Sequence, residues 1–170
     1  MKSVLISIRP EWCSLIASGK KRIEIRKSKP IYNNPFKVYI YCTNHEPLYL
    51  KKSGKLGNGK VIGEFICRRI DEYNPIEAHT GAIYWLDDRS FESTGFENLE
   101  DLCEYGNGKR LYGWHISDLV MYDIPKPLSE FGKCGYDTLV PWKKSFVPWK
   151  RPPQSWGYCE KKTQWKPKKR

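Results

Sequence analysis

The stretch SGKKRIEIRK, residues 18–27, restricts the fold more than any other part of the chain. Upstream of it, Pro10 suits the first turn of a helix, and Gly19 suits the left-handed residue that ends one. Downstream, Ile23 and Ile25 alternate with charged side chains, which is the pattern of a strand with one apolar and one charged face. The sequence therefore predicts a short helix followed immediately by a charged strand.

The rest of the chain is predicted to form mainly strands. Further strands are expected at 2–9, 36–43, 60–70, 111–123 and 155–160. Asn98 is predicted to cap a helix over 99–105 that turns Leu99, Leu102 and Cys103 inward. Irregular structure is expected at 51–60, 71–96 and 126–142. Because strands and helices do not alternate regularly, we expect an α+β fold, a small mixed β-barrel with short helices packed on it.

The length of 170 residues suits one domain with a sizeable hydrophobic core. We place this domain at residues 1–160 and expect 161–170 to be a disordered basic arm. No apolar run reaches the roughly 18 residues that a membrane-spanning helix needs, so no membrane partner is predicted.

Six cysteines are spaced 25 to 36 residues apart and form no cluster with histidines. This spacing does not match a zinc site, and neither a metal nor a cofactor is predicted. Several cysteines lie within apolar runs, which is typical of reduced core thiols. We therefore expect a cytoplasmic protein.

The net charge of +11 is unevenly distributed. Residues 1–70 carry +11 and 141–170 carry +9, whereas 71–110 carry −7. Such a distribution favours a polyanionic partner, although excess lysine can also serve solubility alone. The predicted partner is RNA or another nucleic acid, with a nucleotide or nucleoside as the alternative ligand.

The segment RPEWCSLIASGKKRIEIRK resembles the ASCH domain family, a PUA-like family, through its Gly19-x-Lys21-x-x-Glu24-x-Arg26 pattern. A second resemblance is YGWHISDLVMYDIPKPLSEF, which looks like the family strand that carries an aromatic–His pair. RPPQSW, residues 151–156, resembles the ending of phage and gut-bacterial members.

The resemblance implies a PUA-like β-barrel with an RNA-binding cleft beside the first helix. Some members are similar to small amidohydrolases that act on acetylated cytidine with a Lys, a Thr and a Glu. Lys21 falls on the position of that Lys, whereas Glu24 stands where the Thr would be. The third residue of that set has no counterpart that we can place on this chain.

By their own chemistry, Lys21 and Arg26 can hold a phosphate or oxyanion, and Glu24 can accept a proton or a base amino group. Lys21 and Glu24 are the catalytic candidates if the protein is an enzyme, a question that the sequence leaves open. A structural ion network on a barrel strand is the alternative, and a structural role is the alternative for His115. The candidate residues for binding a nucleotide or RNA are Arg9, Lys20, Lys21, Glu24, Arg26, Trp114, His115, Arg151 and Trp156.

The sequence favours a nucleic-acid-binding module, with RNA preferred. One alternative is a small hydrolase that acts on a modified nucleoside or an RNA phosphodiester, with Glu24 as base. Another is a protein-interaction module that uses the acidic residues 71–110. The Glu at position 24 disfavours the amidohydrolase, whose family members have Thr there.

Overall fold

The computed structural model describes residues 2–44, 59–79, 81–136 and 144–162. These residues form mainly β-strands with three short α-helices, which confirms the predicted α+β class. The connection predicted at 51–60 lies outside the described residues except for its last two positions. The arm predicted at 161–170 lies outside them except for its first two.

The elements follow one another in an irregular order of strands and helices. In chain order they are β1 (Ser3–Ile8), α1 (Pro10–Ala17), β2 (Ile23–Arg26), β3 (Phe36–Cys42), β4 (Lys60–Tyr73), β5 (Ile76–Ala78), β6 (Gly81–Ile83), α2 (Asp88–Thr94), α3 (Leu99–Gly106), β7 (Leu111–Lys126), a 3₁₀ turn (Leu128–Glu130), β8 (Phe131–Tyr136), β9 (Lys144–Pro148), β10 (Trp156–Tyr158) and β11 (Glu160–Lys161).

The chain divides into two compact units. Unit 1 consists of residues 1–10, 36–65 and 119–170, and unit 2 consists of residues 11–35 and 66–118. Strands β4 and β7 are each divided between the units, because each is long enough to contribute one half to either core.

Unit 1 is built on β1, which pairs with β3 in parallel and with β10 in antiparallel register. Its sheet has the order β10-β1-β3-β4, and β11, β8 and β9 form a second sheet. Leu5, Tyr39 and Phe131 are fully buried in its core, with Tyr39 and Phe131 edge to face. Alternating apolar residues on β1 and β3 thus produce the strands that the sequence predicts.

Unit 2 holds the charged strand β2 against β7. These strands are antiparallel, and Glu24 lies directly opposite Trp114. Ile23, Ile25 and Leu102 are buried together, so α3 covers the apolar face of β2. The packing leaves the other face of β2 for the charged side chains.

Two predictions of irregular structure are wrong. Within 71–96, β4 continues to Tyr73, β5 and β6 form a hairpin, and Asp87 caps α2 by accepting a hydrogen bond from Ser90 N. Within 126–136, the chain forms the 3₁₀ turn and β8, and the rest of the segment predicted at 126–142 lies outside the described residues. Gly132 looks like a loop residue in sequence, but a Cβ there would collide with the Val147 carbonyl of the paired strand β9, so the close pairing requires glycine.

The helix predicted at 99–105 is present, and the Asn98 cap is confirmed because its side chain accepts a hydrogen bond from Asp101 N at 2.8 Å. Leu102 is buried, but the prediction that Leu99 faces inward is wrong, since 41% of Leu99 is exposed. α3 is short, so only one row of its side chains reaches the core. Asn107, rather than Gly106, is the left-handed residue at its end.

Three further features bear on the sequence predictions. Five cysteines form no disulfide, and all but Cys103 are buried: Cys13, Cys42, Cys67, Cys103 and Cys159. Lys161 lies in β11, paired with Phe131, so the first residue of the predicted arm is part of a sheet. In the part of the chain that the structure describes, no helix is long and apolar enough to cross a membrane.

Candidate nucleotide-binding site

The turn after α1 directs the first charged side chain inward. Gly19 adopts a φ of 74°, a left-handed conformation that glycine reaches without steric cost. Lys21 N then donates to Leu15 O at 3.0 Å, and Arg22 N donates to Ser93 O at 2.8 Å. These bonds fix the start of β2 between α1 and α2.

Lys21, Glu24 and Arg26 form one buried ion cluster, which we call the triad. Lys21 Nζ lies 3.3 Å from Glu24 Oε2, and both Nε and Nη2 of Arg26 lie 2.9 Å from Glu24 Oε1. Only 3%, 5% and 9% of these residues, respectively, is exposed. The charged face of β2, which the alternating sequence would place in solvent, is therefore covered. The structure brings together the three residues that the sequence singles out.

Aromatic rings and a helix end complete the surroundings of Lys21. Its ammonium donates to the Thr94 carbonyl at the end of α2. It also lies 4.8 Å from the centroid of Trp12 and 5.9 Å from that of Phe96, both within the range of cation–π attraction. Gly95 closes α2 with a φ of 80°, and a Cβ there would lie 3.2 Å from Leu15 Cδ1.

The triad has one more cation than anion. Burial lowers the pKa of the Lys21 ammonium, because water no longer solvates its charge, while the neighbouring Glu24 carboxylate opposes this effect. A second cation, Arg26, adds to the lowering. The triad is thus a site where an added negative charge, or the loss of a proton from Lys21, would restore electrical balance.

The two carboxylate oxygens of Glu24 face different cations. Glu24 Oε2 is buried and lies 3.3 Å from Lys21 Nζ, whereas Oε1 accepts a hydrogen bond from Arg26 Nε. The rings of Phe96 and Tyr105 lie 5.9 Å apart, and Tyr105 is 36% exposed. The site therefore combines two cations, a buried carboxylate and a partly accessible aromatic edge.

Two other predicted residues lie beside the triad in unit 2. Trp114 is opposite Glu24 on β7, so their side chains share a face of the sheet. It is completely buried, which makes it a supporting core residue in this structure. Lys20 is exposed next to Lys21 in the turn.

His115 does not join the triad, contrary to its selection as a site candidate. It lies opposite Ile23, and successive residues of a strand point to opposite faces, so it shares the face of Ile23 rather than that of Glu24. Its Nε2 is 2.7 Å from Asp71 Oδ2, and Asp71 in turn pairs with Arg69. These contacts support the structural interpretation of His115.

Arg9, Arg151 and Trp156 belong to unit 1. Arg9 and Arg151 are exposed. Trp156 lies opposite Ile6 in the β10–β1 pair and packs edge to face with Tyr158 at 5.5 Å. These contacts give Trp156 a packing role at the edge of the sheet.

Sequence reasoning missed three residues of the site: Trp12, Thr94 and Phe96. Trp12 carries a signal, because it shares a helix face with Leu15 and precedes the charged stretch. Thr94 and Phe96 carry no such signal in the sequence. They lie about 70 residues from Lys21, in a segment that is predicted to be irregular, and only the fold brings them into contact with it. Within the described ranges, no group of three or more His, Cys, Asp or Glu residues is placed to hold a metal ion.

Comparison with solved structures shows the fold. The chain is similar to an ASCH protein from Zymomonas mobilis, with 23% identity, 96% of this chain and 92% of the other covered, and a TM-score of 0.60. Two single-residue variants of that protein, a Tyr-to-Phe and a Ser-to-Ala change, each match with 21% identity and a TM-score of 0.57. They cover 95% of this chain and 93% and 90% of theirs, respectively. These likenesses show that the chain has the fold of an ASCH protein, in agreement with the predicted α+β class.

The family comparison agrees with the resemblance of the charged stretch. No curated protein matches the chain. The model of the ASCH domain, however, matches residues 6–124, which include the triad and most of β7. ASCH domains are generally nucleic-acid-binding, PUA-like modules. The chain belongs to the ASCH domain family.

Proposed function

We propose that this protein is a cytoplasmic RNA-binding module that holds one nucleotide at the triad. The observation that carries the proposal is the buried excess of positive charge: two cations, Lys21 and Arg26, share the single carboxylate of Glu24. A nucleotide phosphate would supply the missing negative charge.

Recognition of the base rests on the remaining groups of the site. Glu24 Oε2 can accept a hydrogen bond from a base amino group, because a carboxylate oxygen has two lone pairs and the contact with Lys21 Nζ uses one of them. Tyr105 and Trp12 retain exposed surface, on which a base can stack. A single-stranded or flipped-out nucleotide fits these requirements better than a base within a duplex.

Unit 1 adds affinity that is independent of sequence. It carries 19 lysines and arginines against 6 acids, whereas unit 2 carries 11 against 13. The six lysines and arginines among residues 161–170 belong to this excess. Basic side chains that contact phosphates release counterions, so this part of the binding weakens steeply with salt.

Binding of a fluorescent ten-nucleotide single-stranded RNA over a salt series tests the proposal. Lys21→Met keeps the length of the side chain and removes its charge, and we expect about tenfold weaker binding, equivalent to about 1.4 kcal/mol. Lys109→Met is the matched control, because Lys109 is an exposed lysine of the same unit. Equal affinity of the two variants, with both folded by circular dichroism, would contradict the role of the triad.

A hydrolase is the second candidate, and the lowered pKa of Lys21 favours it, since a neutral amine can act as a base or nucleophile. The hydroxyl that the amidohydrolase set requires is not replaced by Thr94. That residue presents its carbonyl to Lys21, while its hydroxyl donates to Phe91 O at 2.7 Å. Hydrolysis would therefore use Lys21 and Glu24 alone.

Turnover separates the two candidates. The full chain is incubated with acetylated cytidine and, separately, with the ten-nucleotide RNA, and products are followed by chromatography. Turnover of either substrate that Lys21→Met abolishes and Lys109→Met retains would establish the hydrolase. Binding without turnover would establish the RNA-binding module.

A further inference from the structure

Unit 1 contains a second charged cluster, away from the triad in sequence, around the ring of Tyr122. Lys126 Nζ lies 4.4 Å from the ring centroid, and Lys161 Nζ lies 5.8 Å from it. Both lysines are partly buried, although lysine is usually among the most exposed residues. Two ammonium groups are therefore held against one ring.

The ring is fixed from below. The Tyr122 hydroxyl donates to Glu64 Oε2, and Lys37 binds Glu64 Oε1, so each carboxylate oxygen already has a donor. Glu64 and Tyr122 lie on the long strands β4 and β7, and Lys161 lies on β11. The two lysines thus occupy a place set by three strands rather than by a loop.

The charges of this cluster do not balance. Lys161 interacts with two carboxylates, Glu64 and Glu130, but Lys37 already pairs with Glu64, and Lys126 adds a further positive charge beside Lys161. The ammonium of Lys126 lowers the pKa of the Lys161 ammonium, because like charges repel each other. Burial lowers this pKa further, because water no longer solvates the charge. Like charges held together in this way are a recurrent feature of anion sites.

We propose that Lys126 and Lys161, supported by Tyr122, form a phosphate-binding site of unit 1 that holds a backbone phosphate of bound RNA. A phosphate group offers several acceptor oxygens and can bridge two ammonium groups, which a single carboxylate oxygen does less well. The choice of RNA as the source of the phosphate rests on the proposed function. The phosphate chemistry itself rests on the cluster alone.

Inorganic phosphate tests the chemistry without RNA. The thermal unfolding midpoint of the full chain is measured while phosphate replaces chloride at constant ionic strength. We expect phosphate to raise the midpoint of the wild type and of the control Lys150→Gln/Lys162→Gln, which loses two exposed lysines of the same unit. The variant Lys126→Gln/Lys161→Gln should show no such rise, whereas Lys126→Arg/Lys161→Arg should retain it. Equal responses of all variants would overturn the site.

RNA tests the source of the phosphate. Relative to its control, Lys126→Gln/Lys161→Gln should reduce the log-affinity versus log-salt slope for the ten-nucleotide RNA by about 1.4, or about 0.7 for each lysine. A response to phosphate combined with an unchanged RNA slope would overturn the assignment to RNA and leave a site for a free phosphate compound. Failure of the triad proposal would appear separately, as RNA binding that Lys21→Met leaves unchanged.

Discussion

Each unit contains a carboxylate on which basic and aromatic groups converge, but the two carboxylates differ in burial. In unit 2 the Glu24 side chain is 7% exposed, and it forms ion pairs with two cations, Lys21 and Arg26. In unit 1 the Glu64 side chain is 20% exposed, and its donors are one cation, Lys37, and the neutral hydroxyl of Tyr122. Lys21 and Arg26, which contact the first carboxylate, are both charged, whereas one of the two donors to the second is neutral.

The difference in burial determines what the loss of a partner costs. A deeply buried charge that loses its counter-charge cannot recover solvation from water, whereas a partly exposed one can. The charged form of Lys21 therefore depends on the Glu24 carboxylate, whereas Lys126 and Lys161 can exchange water for an anion. We expect the triad to be rigid and selective for its ligand, and the unit 1 cluster to accept different anions.

The sharpest way to break this comparison is Glu24→Gln. It leaves two buried cations without a carboxylate, so we expect the free energy of unfolding to fall by about 3–5 kcal/mol in urea unfolding. Lys21→Met should cost less, since Glu24 and Arg26 remain a neutral pair. The control Glu97→Gln changes an exposed acid and should have little effect.

The pH dependence of the Glu24→Gln variant checks the mechanism. Burial already lowers the pKa of Lys21, so at alkaline pH the unfolded chain holds a proton that the folded chain has released, and stability rises with pH. Removal of Glu24 should strengthen this effect, and the variant should regain stability relative to the wild type as the pH rises toward 10. A constant difference at all pH values would contradict the charge explanation.

Glu64→Gln should have a smaller effect, with its own pH profile. Burial acts to raise the pKa of Glu64, but its bonds to Lys37 and Tyr122 outweigh burial and lower it overall. The stabilisation is then present above the ordinary value of 4.5 and is lost as the pH falls through the lower folded value. We expect a loss of about 1–2 kcal/mol near neutral pH, after allowance for solvent screening, and wild type and variant should converge in acid.

The two sites also differ in how far the sequence predicts them. The triad residues lie within six positions and follow a helix-ending glycine, so local spacing indicates that they meet. The burial of the triad could not be predicted, because Trp12 is the only local hint of the cover and Phe96 arrives from a distant segment. An alternating charged strand looks the same in sequence whether its charged face is solvated or covered.

The cluster of unit 1 could not be found in the sequence at all. Lys37, Glu64, Tyr122 and Lys161 come from four strands, and no spacing relates them. Tyr122 lies in a strand that the sequence predicts, but the register that sets its hydroxyl against Glu64 depends on long-range pairing. The basic residues around Lys161 predict a disordered arm, whereas its pairing with Phe131 places it in β11.

The finest test of the comparison removes one phenol hydroxyl from each unit. The Tyr122 hydroxyl donates to a carboxylate, whereas the Tyr105 hydroxyl donates to the Ile25 carbonyl over a longer distance of 3.3 Å. Hydrogen bonds to charged acceptors are stronger than those to neutral ones. We therefore expect Tyr122→Phe to lower the free energy of unfolding by about 1–2 kcal/mol and Tyr105→Phe by about 0.5 kcal/mol.

The two changes are matched, because each removes one phenol hydroxyl. Each also keeps an aromatic ring beside its lysine, which is Lys126 for residue 122 and Lys27 for residue 105. If Tyr122→Phe cost no more than Tyr105→Phe, the carboxylate of Glu64 would not depend on its neutral donor, and the contrast with Glu24, whose partners Lys21 and Arg26 are both charged, would fail.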